Sequence, residues 1–444
     1  MPQIVDEALL VYVESGANSN KFYRLQLAAD GSVHKLWGRV RDGAELTGQS
    51  QIEQGGRARF DRIYAEKTKK GYTRVKVADT TASSTKAATQ VQLRDTAAAS
   101  LAGGSVDKVV TTLIDRLVAA NKHDLMQSTG GMISVDTSGQ ARTALGVITQ
   151  DAVADARALL GKMAALGEGD ARATLTEQYL RIVPHAIPVS EGRGWASGWL
   201  TRHTSVEKQR DLLDALDSSA NYAAAARRAA AAARDGSTSV DEDFFRYRVH
   251  RLEPGTDEYD MVVQRFHDTK QSVHTAAHRM TPKYVYRLED RRHGADVEAV
   301  HARVKNVQRL WHGTGAANVL SILQKGLFVP PTTGSGIHIA GRMFGDGVYL
   351  SRSATKSLNY SRGYWGGGSN SPSTFMFLTR TAMGYEYRPK GTIGYGTFRR
   401  PRADANGKPY DSTNARPDLV TNLQNHEAIV EDPMQVSLSW LVEF

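Results

Sequence analysis

The chain has 444 residues, 41% hydrophobic and 23% charged, which is enough apolar material for about two to four cored domains. It contains no cysteine, which excludes disulfides, Cys-type zinc sites and a thiol nucleophile. The formal net charge of +9 favours acidic partners such as nucleic acid. No apolar run approaches the ~20 residues of a membrane span, and the opening MPQIVDEALL lacks a basic-then-apolar leader, so no membrane partner is expected. A cytoplasmic or nucleoid location is the expectation, or the nucleus in a eukaryote.

Residues 1–78 read as a small β-rich unit. LLVYVE alternates weakly, whereas Tyr23, Leu25 and Leu27 alternate cleanly before a turn at Asp30-Gly31. Val33 to Val40 returns as the second strand of a hairpin and carries Trp37-Gly38-Arg39. ARFDRIYAEK then places Phe60, Ile63 and Tyr64 at helical spacing. Residues 79–104, rich in Ala, Thr and Ser without a period, read as a linker. From 105 to 240 the pattern is helical throughout. One stripe runs Val106, Val109, Val110, Leu113 and Leu117, and a second runs from Leu145 to Met163. TLTEQYLRI supplies a third helix that stops before Pro184, and an Ala-rich helix closes at Gly236. A bundle of five or six helices is the expectation.

Residues 241–444 read as a mixed α/β domain. FFRYRVHRLEP and YVYRLEDRR are strands, and the helix expected between them carries His274 and His278. Their i, i+4 spacing can bind zinc, but without the glutamate of a zinc-protease helix they read as structural. LWHGT then delivers His312 to a loop at Gly313, and Asn318 to Leu327 forms a short helix stopped by Gly326. GDGVYLS feeds a strand bearing Tyr349, and KSLNY starts a helix with Ser357 and Tyr360. YWGGGSNSPS reads as a surface loop, since neither a lysine nor a helix start follows it. TFMFLTRTAM, HEAIVED and SLSWLVEF supply the last strands.

LWHGT, MFGDGVYLS, KSLNY and NHEAIVEDPMQVSLSWLVEF, in that order, resemble the catalytic domain of DNA-dependent poly(ADP-ribose) polymerases. Singly, His312, Tyr349 and Glu427 read as ordinary loop, core and strand-edge residues; the order and spacing of the four motifs carry the resemblance. The first 78 residues resemble a WGR domain, and YLRIVPHAIP with DLLDALD resembles the family's helical regulatory domain. The implied chain is a multidomain α+β protein: a WGR DNA-binding domain at 1–78, a linker at 79–104, an all-α regulatory bundle at 105–240, and an ADP-ribosyltransferase catalytic domain at 241–444.

The resemblance implies NAD+ as substrate, cleaved at the nicotinamide–ribose bond without a metal. That cleavage builds positive charge on the ribose, as glycoside hydrolysis does. The family's catalytic residues fall on His312, which binds the adenine-side ribose, Tyr349, which stacks on nicotinamide, and Glu427, which holds the other ribose and faces the developing cation. Gly313 and Ser357 hold the carboxamide, Tyr360 completes the ring sandwich, and Asn318 and Met343, the latter near the acceptor side, complete the NAD-binding set. Trp37 and Arg39 are assigned to DNA strand breaks or ends. Phe328, Asp346 and Asn425 depart from residues frequent in the family: a basic residue, a lysine and an aromatic. The implied function is DNA-break-activated (poly)ADP-ribosylation of protein acceptors, the chain itself included. A transferase of single units and a catalytically silent DNA-end scaffold are the alternatives.

Overall fold

A computed structural model describes residues 3–40, 46–74, 98, 101–102, 108–129, 133–135, 141–143, 146–185, 187, 189–206, 208–217, 219–220, 245–329, 343–361, 373–394 and 398–444. Most of the expected linker, the Ala-rich tail, the loop before Met343 and the Gly-rich loop after Ser361 lie outside the described residues. The chain divides into two compact units, one of Met1–Thr85 with Asp124–Asn221 and one of Lys86–His123 with Tyr222–Phe444.

In the first unit, β1 (Ile4–Glu14), β2 (Ser19–Ala28), β3 (Ser32–Arg39) and β4 (Gln49–Gln54) form an antiparallel meander, and β5 (Thr73–Arg74) adds to the free edge of β1. The β2–β3 turn sits where the sequence places it. The Asp30 carboxylate accepts from the Ser32 N–H at 2.9 Å and from its hydroxyl at 2.6 Å, and Gly31 takes φ +81°. Helix α1 (Gly56–Lys69) covers one face, burying Phe60 and Ile63 against Leu10, Tyr23, Leu25 and Val33. Leu9, Val11 and Phe22 pack on the opposite face with Val40. Because both faces of β1 are buried, LLVYVE shows little alternation.

The all-helical expectation for 105–240 does not hold throughout. Residues 133–147 form a small antiparallel sheet of β6 (Ile133–Val135), β7 (Ala141–Thr143) and β8 (Gly146–Val147). These segments are short, β-branched and interrupted by glycine, which favours strands over a helix. The helices also divide. Helix α2 (Lys108–Thr129) contributes residues 108–123 to the second unit, whereas α3 (Gln150–Ala164) and α4 (Asp170–Ile182) belong to the first. In α4, Glu177 accepts the Ser15 N–H at 2.6 Å and Arg181 donates to the Val13 carbonyl at 3.0 Å, tying the helix to the end of β1.

The second unit is built on a five-stranded antiparallel sheet and a smaller four-stranded one. The strands in chain order are β9 (Tyr247–Leu252), β10 (Tyr284–Asp290), β11 (Val307–Gly313), β12 (Val348–Leu350), β13 (Phe375–Ala382), β14 (Glu386–Tyr387), β15 (Ser412–Ala415), β16 (Glu427–Val430) and β17 (Val436–Glu443). The larger sheet runs β11-β13-β17-β10-β9 and the smaller β12-β16-β15-β14. Strand β13 lies inside the sheet, between β11 and β17, and is buried on both sides, hence its unbroken FMFL. Phe375 and Phe377 pack on one face with Tyr286 and Leu441, and Met376 and Leu378 on the other with Trp311 and Val442. The first face is covered by Val110, Leu113, Ile114 and Leu117 of α2, and the second by Val262 and Phe266 of α5 (Asp257–Asp268). Helices α6 (Gly294–Val304), α7 (Ala316–Lys325) and α8 (Ala354–Ser361) complete the unit.

His274 and His278 do not share one long helix with α5; a separate turn spans Thr275–His278. His274 is buried and its Nδ1 lies 2.9 Å from the Thr355 hydroxyl, a structural role. Among the described residues no cluster of three or more His, Asp or Glu side chains could hold a metal ion, and no helix is long and apolar enough to cross a membrane.

Helix α2 is also tied to the sheet by charge. Arg116 meets Glu443 at 2.7 and 2.9 Å and the Tyr286 hydroxyl at 2.9 Å, and the Glu443 side chain is only 2% exposed. Removing the guanidinium alone leaves a buried carboxylate uncompensated. Arg116→Met should therefore cost about 3–5 kcal/mol in urea unfolding, most of it recovered in Arg116→Met/Glu443→Gln. A single variant as stable as the parent would show that the pair holds nothing in place.

Candidate active site

The two sheets of the second unit touch where β11 meets β12. Trp311 and Ser351 exchange backbone hydrogen bonds at 2.8 and 2.9 Å, and β12 in turn pairs with β16, Tyr349 opposite Ile429. His312, Tyr349 and Glu427 thus stand on three successive strands. Glu427 shares the parity of Ile429, so it and Tyr349 lie on one face of the β12–β16 ladder.

Each of the three is held in a defined state. The His312 Nδ1 lies 2.9 Å from the Tyr349 carbonyl oxygen, so Nδ1 carries the proton and donates it there. Burial, with the Lys356 charge adding to it, holds the His312 pKa below the usual histidine range. The ring is neutral at pH 7, and Nε2 is left as an acceptor suited to a hydroxyl. The Tyr349 hydroxyl donates to the Gly345 carbonyl at 2.8 Å and accepts from the Phe344 N–H at 3.0 Å, which locks the turn before β12. Glu427 is almost enclosed, 13% exposed in its side chain, and burial pushes its carboxyl pKa up. The Lys356 ammonium opposes that shift through direct contact with Glu427 Oε2.

Lys356 comes from α8, whose position depends on a glycine. A Cβ on residue 313 would stand 1.8 Å from the Ser357 carbonyl oxygen, so only glycine lets α8 lie against the end of β11. Ser353 starts the helix by accepting the Lys356 N–H at 3.3 Å. The Lys356 ammonium also sits 5.3 Å from the Tyr360 ring centre, one turn along. Gly313, Ser357 and Tyr360 are therefore gathered around one close packing contact. The Ser357 hydroxyl donates to the Trp311 carbonyl at 3.2 Å, and Tyr360 is 45% exposed.

Asn318, on the first turns of α7, donates to the Thr314 hydroxyl at 3.2 Å, while its side-chain oxygen is buried with no hydrogen-bond partner among the described residues. An orphaned acceptor beside His312 and Gly313 is what a ligand carrying amide or hydroxyl donors would satisfy. Met343 is buried with Phe344, Val420 and Ile429 in the cluster against which Tyr349 packs. In the first unit, Trp37 stacks on Tyr23 at 5.8 Å and stays half-exposed. Arg39 donates to the Asn18 carbonyl at 2.7 Å and to its side chain at 3.3 Å.

Two features were missed from sequence. Lys356 stands inside KSLNY, yet nothing in the motif shows that its charge is buried. Behind Glu427 runs a polar chain. The Arg352 N–H donates to His426 Nδ1 at 3.2 Å, His426 Nε2 meets Asn414 Oδ1 at 2.9 Å, and Asn414 donates to Glu386 at 2.7 Å. Burial, followed by the Arg352 and Lys356 charges, pushes His426 down to about 3, so it stays neutral and keeps both bonds.

Comparison with known proteins follows the same division of the chain. Residues 256–444 match the poly(ADP-ribose) polymerase catalytic domain and residues 6–79 the WGR domain. The poly(ADP-ribose) polymerase-like protein of Invertebrate iridescent virus 6 is 30% identical over 141 residues, 31% of this chain and 71% of that one. Poly(ADP-ribose) polymerase 2-A of Oryza sativa subsp. japonica is 33% identical over 134 residues, 28% of this chain and 19% of its own length. Protein mono-ADP-ribosyltransferase PARP3 of Mus musculus is 29% identical over 150 residues, 33% of this chain and 26% of its own. The chain thus spans about a fifth to a quarter of the rice and mouse relatives. The match over residues 256–444 defines a catalytic domain of the poly(ADP-ribose) polymerase type. The chain belongs to the poly(ADP-ribose) polymerase family.

The Lys356–Glu427 contact generates a stability test. In Lys356→Met burial acts on Glu427 unopposed, so its folded pKa rises further above the unfolded glutamate value of about 4.3. A raised carboxyl pKa means the folded state binds more protons, so stability is lost as pH rises from about 4 towards neutrality. Urea unfolding should show Lys356→Met falling behind the parent as pH rises, with Lys356→Met/Glu427→Gln insensitive over the same range. Parallel pH curves for all three would rule the coupling out.

Proposed function

We propose that this chain is an NAD+ ADP-ribosyltransferase, activated by DNA breaks, that transfers ADP-ribose to protein acceptors including itself and extends it into a polymer. The observation that carries the reading is the enclosed Glu427 carboxylate, paired with Lys356 and gathered on adjacent strands with a neutral His312 and a turn-locked Tyr349.

In this reading the nicotinamide–ribose C–N bond breaks, its electron pair leaves with neutral nicotinamide, and positive charge develops on the ribose. Glu427 accepts a ribose hydroxyl and places negative charge beside the cation, in a site dry enough for that charge to count. His312 Nε2 accepts a hydroxyl of the adenine-side ribose. Gly313, Ser357 and the orphaned Asn318 oxygen grip the donor, and Tyr349 with Tyr360 offers ring faces to the nicotinamide. The acceptor oxygen then bonds to the ribose carbon and its proton passes to Glu427. The same carboxylate activates a hydroxyl of an attached unit, which allows chain growth.

DNA sensing is assigned to the first 78 residues. Support comes from the half-exposed Trp37, the Lys67 ammonium 4.3 Å from the Tyr23 ring centre, and the chain's basic balance. Residues 105–240 are assigned the regulatory role, with α2 as the element through which they act on the catalytic sheet. DNA shifts a two-state equilibrium at that element towards the active form. Polymer is favoured over single units by the glutamate at 427. A single-unit transferase has in its favour Asn425 in place of an aromatic, and a mouse relative named as a mono-ADP-ribosyltransferase.

The test is incubation with labelled NAD+, with and without nicked duplex, read on a denaturing gel beside Glu427→Gln. The expected result is a DNA-dependent smear on the chain, reduced at least ~100-fold in the variant. A single sharp band would replace polymer by single-unit transfer, equal labelling without DNA would remove the break response, and no label at all would leave a silent scaffold.

A further inference from the structure

Glu386 of β14 is an enclosed carboxylate that the proposed chemistry leaves unused; its side chain is 5% exposed. Its Oε1 accepts from Gln308 at 2.9 Å and Asn306 at 3.3 Å, and its Oε2 from Asn414 at 2.7 Å and Arg388 at 3.1 Å. Burial opposes the negative charge, but the bonds from Asn414, Arg388 and Gln308 outweigh it and hold the carboxyl below its usual range. Two of these donors lead back to one residue. The Asn414 side-chain oxygen lies 2.9 Å from His426 Nε2, and His426 Nδ1 accepts the Arg352 N–H at 3.2 Å. The Gln308 oxygen accepts from the Arg352 guanidinium at 2.9 Å. Glu386, Asn414, His426, Arg352 and Gln308 thus close a ring of hydrogen bonds across β14, β15, the start of β16, the end of β12 and β11.

The ring has a direction. A backbone N–H can only donate, so His426 Nδ1 is unprotonated and Nε2 carries the proton that Asn414 accepts. Both arms therefore start at donors on Arg352 and end on the Glu386 anion, each bond polarising the next. A carboxylate can end both arms because it accepts at both oxygens, whereas an amide has one. Asn414 pairs with Ala428, so the ring lies on the face of β16 opposite Glu427 and away from the groups assigned to the donor. What it fixes is the residue before the reacting carboxylate. The His426 imidazole is held at both nitrogens, and its carbonyl accepts the Ser351 hydroxyl at 2.8 Å. An amide stands between the imidazole and Glu386, so the ring does not suit proton relay; it suits orientation. We propose that Glu386 is a positioning residue that acts through Asn414 and His426 to set where Glu427 stands as charge develops on the ribose. That role rests on the ADP-ribosyl-transfer reading, whereas the ring and its direction do not.

The test is the kinetics of nicotinamide release from NAD+ by the full chain, comparing the parent with Glu386→Met and Asn414→Leu, each alone and combined with His426→Phe. Asn414→Leu cuts the arm to His426 while Glu386 keeps Gln308, Asn306 and Arg388, so it decides the matter if Glu386→Met fails to fold. Each single variant should lower kcat about tenfold and leave KM for NAD+ within about twofold, as misplacing a reacting group without loosening the donor would. Neither should lower kcat further once His426 is phenylalanine. Parental kcat in Asn414→Leu, a rise in KM in place of the fall in kcat, or losses that multiply with His426→Phe would overturn the positioning role. The ring itself is read by proton NMR, as a slowly exchanging imidazole Nε2–H signal that disappears in His426→Phe and exchanges rapidly in Asn414→Leu. Absence of that signal from the parent would overturn the ring. Its presence in a parent chain that releases no nicotinamide would keep the ring and overturn both the ADP-ribosyl-transfer reading and the role that rests on it.

Discussion

The proposed active centre depends on one close approach and one ion pair. Helix α8 can lie against β11 only because residue 313 has no side chain, and that contact carries Lys356 inward to Glu427. Without the approach, the ammonium would have no enclosed carboxylate to meet. Without the ammonium, burial would drive Glu427 towards its protonated form, which cannot face a developing cation. Burial holds His312 and His426 below the usual histidine range, and the same lysine adds to both shifts. Two sheets joined by the Trp311–Ser351 bridge supply the frame that holds these groups in place.

Around this centre the molecule uses helices in two ways. In the second unit, α2 spends its apolar stripe on one face of the five-stranded sheet and adds Arg116 to a buried Glu443. In the first unit, α4 is tied to β1 through Glu177 and Arg181. Helices read from sequence as one bundle are thus committed to different partners. A ligand that changes how either helix is held acts directly on the packing of its own unit.

The motif residues were legible because they sit at strand ends and turns, where sequence punctuation is strong. LWHGT ends β11, GDGVYL opens β12 and HEAIV forms β16, as the patterns predict. The Asp30-Gly31 turn and the Phe60–Ile63 helix were equally plain. What was not legible depends on three-dimensional partners. An apolar stripe such as Val110-Leu113-Leu117 says that a face is buried but not against what. Strand β15 reads Ser-Thr-Asn-Ala and is fully buried, yet it carries no hydrophobic pattern to announce it. LWHGT shows a glycine after His312, but not that the space left by its missing side chain is taken by the Ser357 carbonyl. Lys356 hid for the same reason: a lysine in a helix is ordinarily a solvated one, and only the fold reveals its carboxylate.

The most direct measurement is a double-mutant cycle on nicotinamide release from NAD+, using the parent, Lys356→Met, Glu427→Gln and the two combined. If Lys356 acts through Glu427, the combined variant should release nicotinamide no more slowly than Glu427→Gln alone. Rates that fall independently, so that the two losses multiply, would contradict the coupling on which this site is built.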